Sequence, residues 1–208
     1  AGQFDTFDWS GVGRTDGKQA GEFSPIFYNS RRFEKLDNGT FWLSKTPDTP
    51  SRGWDAALPR IVSWVRLEER DSGTEFYFFN THFDHRGEKA RRESAGLILR
   101  KIGELAGESV PVIVTGDFNA APDSDPYSVL TAELRDAMKV SLHPHYGPEA
   151  TFLAEGGPFN VGSGKEGRRI DYIFVNERVE VKHHGIIGTF REGRFPSDHL
   201  PVVAEVRL

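Results

Sequence analysis

Four short apolar runs in this chain end in side chains that can move protons, bind a cation or hold a phosphate. Val112-Ile-Val-Thr-Gly-Asp117-Phe-Asn119 reads as a buried strand that runs into Gly116 and then presents a carboxylate and an amide. Side chains two apart on an extended chain share a face, so Asp117 and Asn119 are expected to point at one spot. Phe76-Tyr-Phe-Phe-Asn-Thr-His82 ends in the same way, continued by Asp84 and His85. Arg169-Ile-Asp171-Tyr-Ile-Phe-Val175 embeds one acid in an apolar strand, and Ser197-Asp198-His199 comes just before the last apolar run. One such tip is equally well explained as a turn, because Asp and Asn favour turns. Four together indicate a site, since α/β sheets gather ligands at strand ends.

The donor types define the chemistry. Asp117, Asn119 and Asp198 offer hard oxygens, which suit Mg2+ or Mn2+ better than zinc. A zinc hydrolase is disfavoured because no His-Glu-x-x-His spacing is present. Protonated His82 and His199 can donate to phosphoryl oxygens. Asp171 is the candidate to fix the tautomer of His199, unless it pairs with Arg168 or Arg169 instead. Asp117 is then free to orient or deprotonate a water. Positioning that water and stabilising charge on phosphorus are the main tasks of phosphoryl hydrolysis.

Composition narrows the setting. At 208 residues, with 37% apolar and 27% charged side chains, the chain suits a single globular domain over 1–208. A net charge of −5 means that any phosphate site must be a local focus of positive groups, and it gives weak support for double-stranded DNA as substrate. The absence of cysteine excludes disulfides, thiolate zinc sites and a cysteine nucleophile, without assigning a compartment. No apolar run approaches a membrane span.

Several elements must position these groups. Residues 23–28 read as an edge strand because of Pro25, 32–44 as further β structure, and 46–53 as a loop. Residues 60–67 form a strand that Asp71-Ser-Gly73 turns back toward Phe76. Apolar residues at threes and fours predict a helix over 88–106, stopped by Gly107. A shorter helix with Pro126 in its first turn is expected within 124–139. Residues 143–169 read as a long loop, and strands follow near 170–175, 179–184 and 202–208. The first twenty residues are polar and glycine-rich, without strand character, anchored by Phe7 and Trp9. His183 and His184 are expected at an exposed strand end, and His143 with His145 in a loop. Trp54 is a core residue or a platform for a substrate ring.

Asn80-Thr-His82, Gly116-Asp-Phe-Asn119, Arg169-Ile-Asp-Tyr-Ile-Phe174 and Ser197-Asp-His199 occur in the order and rough spacing of the endonuclease/exonuclease/phosphatase superfamily. Over nearly its whole length the chain resembles a bacterial-type member of that deoxyribonuclease I-like group. The resemblance implies an α/β fold, a four-layer sandwich of two packed mixed β-sheets flanked by helices. It implies a Mg2+ (or Mn2+)-dependent phosphoesterase in which water attacks phosphorus of a phosphodiester or phosphomonoester. Its substrate would be a nucleic acid, a phospholipid head group or a small phosphodiester.

Carried over by position, Asp117 activates water or assists the leaving group, with Asn119 beside it on phosphate. Asp198 becomes a metal ligand, alongside Asp117 and Asn119. His199 contacts phosphate and is held by Asp171, His82 is the second phosphate-facing imidazole, Glu22 orients it, and Arg60 resembles a phosphate-contacting arginine. One departure matters. The superfamily carries an Asn on a first strand and a metal-binding Glu on the helix after it, and residues 1–21 contain neither. The resemblance therefore implies an N-terminally truncated domain with weakened metal binding and little activity in this stretch. The alternative is a catalytically inactive member of the fold that serves as a binding module.

Overall fold

The computed structural model describes residues 6–153, 167–192 and 194–208. Its spine is a six-stranded mixed sheet: β3 (Phe33–Trp42), β4 (Ile61–Glu69), β5 (Glu75–His82), β6 (Val112–Asp117), β8 (Asp171–Val175) and the two-residue β7 (Arg135–Asp136), in the order β3-β4-β5-β6-β8-β7. Among the described residues of this sheet only β5 and β6 run parallel, joined by α1 (Glu88–Leu105), while β4 and β5 form the hairpin that the Asp71–Gly73 turn suggested and β3 adds to it antiparallel. A parallel pair requires such a crossover, and the helix supplies it.

Alternation along the central strands divides their side chains between two cores. Val62, Tyr77, Phe79, Val112, Val114, Tyr172 and Phe174 face α1 and α2 (Asp125–Thr131). Val65, Leu67, Phe76, Ile113 and Val175 face a second layer of short strands. That layer comprises β1 (Phe7–Ser10) paired with β2 (Ile26–Asn29), and β9 (Glu180–Ile186) paired with β10 (Val202–Arg207). The two packed sheets with outer helices agree with the expected sandwich. Among the described residues, β2 and β10 each pair along one edge only. A cavity of about 940 Å³ lies between them, lined by Ile26, Tyr28, Phe76, Ile113, Ala204 and Val206 among others.

Two local expectations are corrected. Residues 7–10 form a strand, and the intended anchors Phe7 and Trp9 are 49% and 45% exposed, Trp9 stacking on Phe27 instead of entering the core. The shorter helix expected within 124–139 is present as α2, with Pro126 in its first turn; β7 follows, and α3 (Ala137–Val140) starts on an Asp136 carboxylate that accepts from Met138 N–H. Residues 154–166 of the loop foreseen at 143–169 lie outside the described residues. The helix over 88–106 is present, its first N–H groups received by Asp55 and its end marked by Gly107 in a left-handed conformation. No helix among the described residues is long and apolar enough to cross a membrane.

His184 is the second correction. It is 2% exposed on β9, and its Nδ1 lies 2.9 Å from Nδ1 of His145, so one ring donates and the other accepts. Burial, with the neighbouring charges of His145 and Arg169, pushes His184 down to about 4. Between that value and the ordinary 6.5, the unfolded chain binds a proton that the folded chain refuses. This contribution to stability is complete above pH 6.5 and is lost as pH falls toward 4. Denaturant unfolding across this window should show a loss of up to about 3 kcal/mol, and His184→Gln should flatten it. A wild-type profile that is level between pH 6.5 and 4 would contradict the assignment.

Candidate active site

Register brings three of the candidate site residues together. In the parallel β5–β6 pair His82 lies opposite Asp117, and in the antiparallel β6–β8 pair Asp117 lies opposite Asp171. The three side chains form a row across adjacent strand ends. Their parity is that of Phe76, Ile113 and Ile173, so all three belong to the face between the two sheets. Gly116 makes this approach possible: its φ is +149°, and a Cβ added there would lie 2.1 Å from the carbonyl oxygen of Thr81.

Each member of the row is tied to a partner from elsewhere in the chain. Glu22, in the turn before β2, accepts from His82 Nδ1 at 2.5 Å, while Nε2 of the same ring lies 3.3 Å from Asp117 Oδ2. His199 Nδ1 meets the Asp171 carboxylate at 2.9 and 3.1 Å. Arg169, the competing partner for Asp171, pairs with buried Asp136 at 2.6 Å. Asn119 does reach Asp117, but not through strand alternation. It has φ +47°, and its backbone N–H and side-chain amide donate to the Asp117 carboxylate at 2.8 and 3.2 Å. The strand has already ended, and a left-handed turn of the kind Asn tolerates brings the side chain back.

Arg60 is 4% exposed. Its guanidinium is enclosed by Asp84 at 3.4 Å, His85 at 3.1 Å and Glu22 at 3.8 Å, which sets it behind the Glu22–His82 pair. For Asp84, burial alone would raise the carboxyl, but N–H groups of Gly87, Ala57, Arg86 and Leu58 outweigh it and hold the group well below the usual range. Arg14, which the sequence did not single out, adds a second cation 3.3 Å from Glu22. Trp54 packs against the helix-side core, which favours its core role over substrate stacking.

The two imidazoles are driven in opposite directions. Burial and the Arg60 charge push His82 down, against the opposing pull of the Asp117 and Glu22 carboxylates. Its hydrogen bond to Asp171 raises His199 and favours the imidazolium. Asp117 is pushed up by burial and by the facing charge of Asp171. Two carboxylates side by side in a half-buried row repel each other, and a cation would relieve that repulsion.

Asp117, Asp171 and His199 bring ligand atoms within 4.8 Å of one another, a candidate cation site. Asp198 is exposed, its carboxylate receiving the Ser197 hydroxyl at 3.4 Å. Asn119 directs its NH2 toward Asp117. The geometric cluster and the ligand set suggested by residue type (Asp117, Asn119, Asp198) therefore share only Asp117.

The sequence model of the endonuclease/exonuclease/phosphatase family matches residues 8–199. The chain belongs to this family. A family member from Bacteroides vulgatus superposes with a TM-score of 0.91 at 42% identity, covering 99% of this chain and 77% of that one. A mannosyl-6-phosphatase of Bacteroides thetaiotaomicron VPI-5482 gives 0.90 at 43% identity, covering 98% and 78%. Human nocturnin gives 0.73 at 19% identity, covering 97% and 72%, which shows a common fold. The uncharacterised protein L388 of Acanthamoeba polyphaga mimivirus is 29% identical over 186 residues, 86% of this chain and 68% of its own length. Drosophila melanogaster nocturnin is 27% identical over 187 residues, and the matched part is 29% of that protein.

The strand-end row depends on the backbone contact at Gly116. Gly116→Ala should cost about 2–4 kcal/mol in denaturant unfolding, from steric overlap with β5. A loss below about 0.5 kcal/mol would show that the strands are not in this register.

Proposed function

We propose that the protein is a divalent-metal-dependent phosphoric ester hydrolase in which water attacks phosphorus at the end of β6. The observation that supports this most directly is the pair of carboxylate-anchored imidazoles, Glu22–His82 and Asp171–His199, on either side of Asp117. His199, whose imidazolium Asp171 stabilises, donates to a phosphoryl oxygen. His82 lines the opposite side and competes with Asp117 for one proton. Asp117, with its proton affinity raised by burial and by Asp171, suits the group that orients the attacking water and receives its proton. Asn119 fixes the Asp117 carboxylate through two hydrogen bonds and lies beside the phosphate. Arg60 supplies positive charge from behind Glu22.

The oxygen-rich donor set fits Mg2+ or Mn2+, with Asp117, Asp198 and Asn119 as its protein ligands. A cation placed on Asp117, Asp171 and His199 would break the Asp171–His199 hydrogen bond, and an imidazolium is no ligand, so we assign Asp171 to His199. When bound, the cation supplies charge neutralisation on the phosphoryl group.

Among phosphate esters, a phosphomonoester on a sugar is the substrate class best supported, by the 43% identity to the mannosyl-6-phosphatase. The relatives below 25% identity support the fold alone. Assay of the full-length protein on hexose 6-phosphates, phosphodiesters, phospholipid head groups and oligonucleotides, with Mg2+ and with chelator, tests the reading. Hydrolysis should require the metal. Asp117→Asn and His199→Ala should each lower kcat/KM by roughly 10³-fold while leaving the unfolding midpoint within a few degrees. Turnover retained in purified Asp117→Asn, or unaffected by chelation, would overturn it.

A further inference from the structure

The segment holding the Asp171–His199 pair together lies inside the stretch that the sequence reads as loop. Thr151 is fully buried and makes hydrogen bonds on both sides. Its Oγ1 accepts the N–H of Ile170 at 3.0 Å and of Asp171 itself at 3.0 Å, and its backbone N–H donates to Arg168 C=O at 3.0 Å. On the other side its C=O accepts Leu200 N–H at 2.7 Å. Phe152 continues the contact. Its backbone exchanges hydrogen bonds with Arg168 at 2.8 and 2.9 Å, it bridges His199, and its ring lies 4.9 Å from the His199 imidazole. Leu153 N–H then donates to Asp198 C=O at 2.9 Å.

Residues 151–153 thus lie as a rib between 168–171 and 198–200, the two segments that carry Asp171 and His199. Those residues are 28 positions apart, and no regular strand pair joins their backbones among the described residues. The Asp171–His199 bond is 2.9 Å long, and a hydrogen bond of that kind weakens with shifts of a few tenths of an ångström. Thr151 sets the spacing from both sides, with its side chain on Asp171 and its carbonyl on the residue after His199.

We propose that Thr151 is a positioning residue: its hydroxyl oxygen fixes the start of β8 against the 198–200 segment, so that Asp171 can orient His199. Serine retains the acceptor. Valine has the same branching but no acceptor, and it leaves the Ile170 and Asp171 N–H groups unpaired. The inference rests on the hydrolase reading above for its catalytic consequence, but its geometry can be read without any substrate.

The test compares Thr151→Val, Thr151→Ser and wild type in the full-length protein. One readout is the low-field proton resonance of His199 Nδ1–H, assigned by its loss in His199→Ala. The other is kcat and KM on the best phosphate ester. Thr151→Val should shift or broaden the resonance and lower kcat by about 10–100-fold with KM within threefold. Thr151→Ser should keep the resonance and stay within about threefold of wild-type kcat. An unchanged resonance and unchanged kcat in Thr151→Val would overturn the inference and leave the hydrolase reading intact. A wild type that hydrolyses no phosphate ester would remove the hydrolase reading while the resonance still decides the geometry. Should Thr151→Val fail to fold, amide exchange in the wild type decides. Protection of Ile170 and Asp171 N–H, with the resonance kept in Thr151→Ser, supports the role, and free exchange of either amide overturns it.

Discussion

The molecule depends on a lateral registry: three neighbouring strands end level with one another, so His82, Asp117 and Asp171 form a row on the face between the sheets. A slip of one residue in any of them would send its acid or imidazole to the helix-packed face, because strand side chains alternate with period two. The aromatic and branched residues upstream enforce the register by filling two different cores. The same packing that stabilises the sheet therefore sets the site. Gly116 is where β5 and β6 approach too closely for a side chain, at the position before the central carboxylate.

Bringing Asp117 and Asp171 side by side has an electrostatic cost, and each imidazole of the site has its own carboxylate partner. Glu22 serves His82 from the turn before β2, and Asp171 serves His199 from within the sheet. The rings are driven in opposite directions because their surroundings differ. Burial and Arg60 act against charge on His82, whereas Asp171 supports it on His199. Two histidines thus acquire different proton affinities from local environment alone.

Much of this was legible in the sequence, for physical reasons. An apolar run ending in Asp, Asn or His is a local pattern, so the strand tips at 82, 117 and 171 and the long helix were identifiable, as was Asp171 as a partner for His199; the pairing of Glu22 with His82 came from the family resemblance alone. What escaped was held by non-local backbone contacts. Thr151 and Phe152 sit in a stretch without periodicity, and their work is done through hydrogen bonds that leave no compositional trace. Arg14 looked like one polar residue among many because its partner, Glu22, is brought beside it by a tight Gly-rich turn, Arg14 N–H donating to Glu22 C=O. His184 looked like an exposed strand end because nothing local reveals that residues 145–148 fold over β9. Asn119 reached the expected place by a left-handed turn, which alternation cannot anticipate.

The most direct measurement is a crystal structure of the full-length protein grown with Mn2+ and inorganic phosphate, located by manganese anomalous scattering. The account requires the metal peak at the Asp117 carboxylate and a phosphate with oxygens about 3 Å from both the His82 and the His199 imidazoles. A metal bound away from Asp117, or a phosphate touching neither ring, would contradict it.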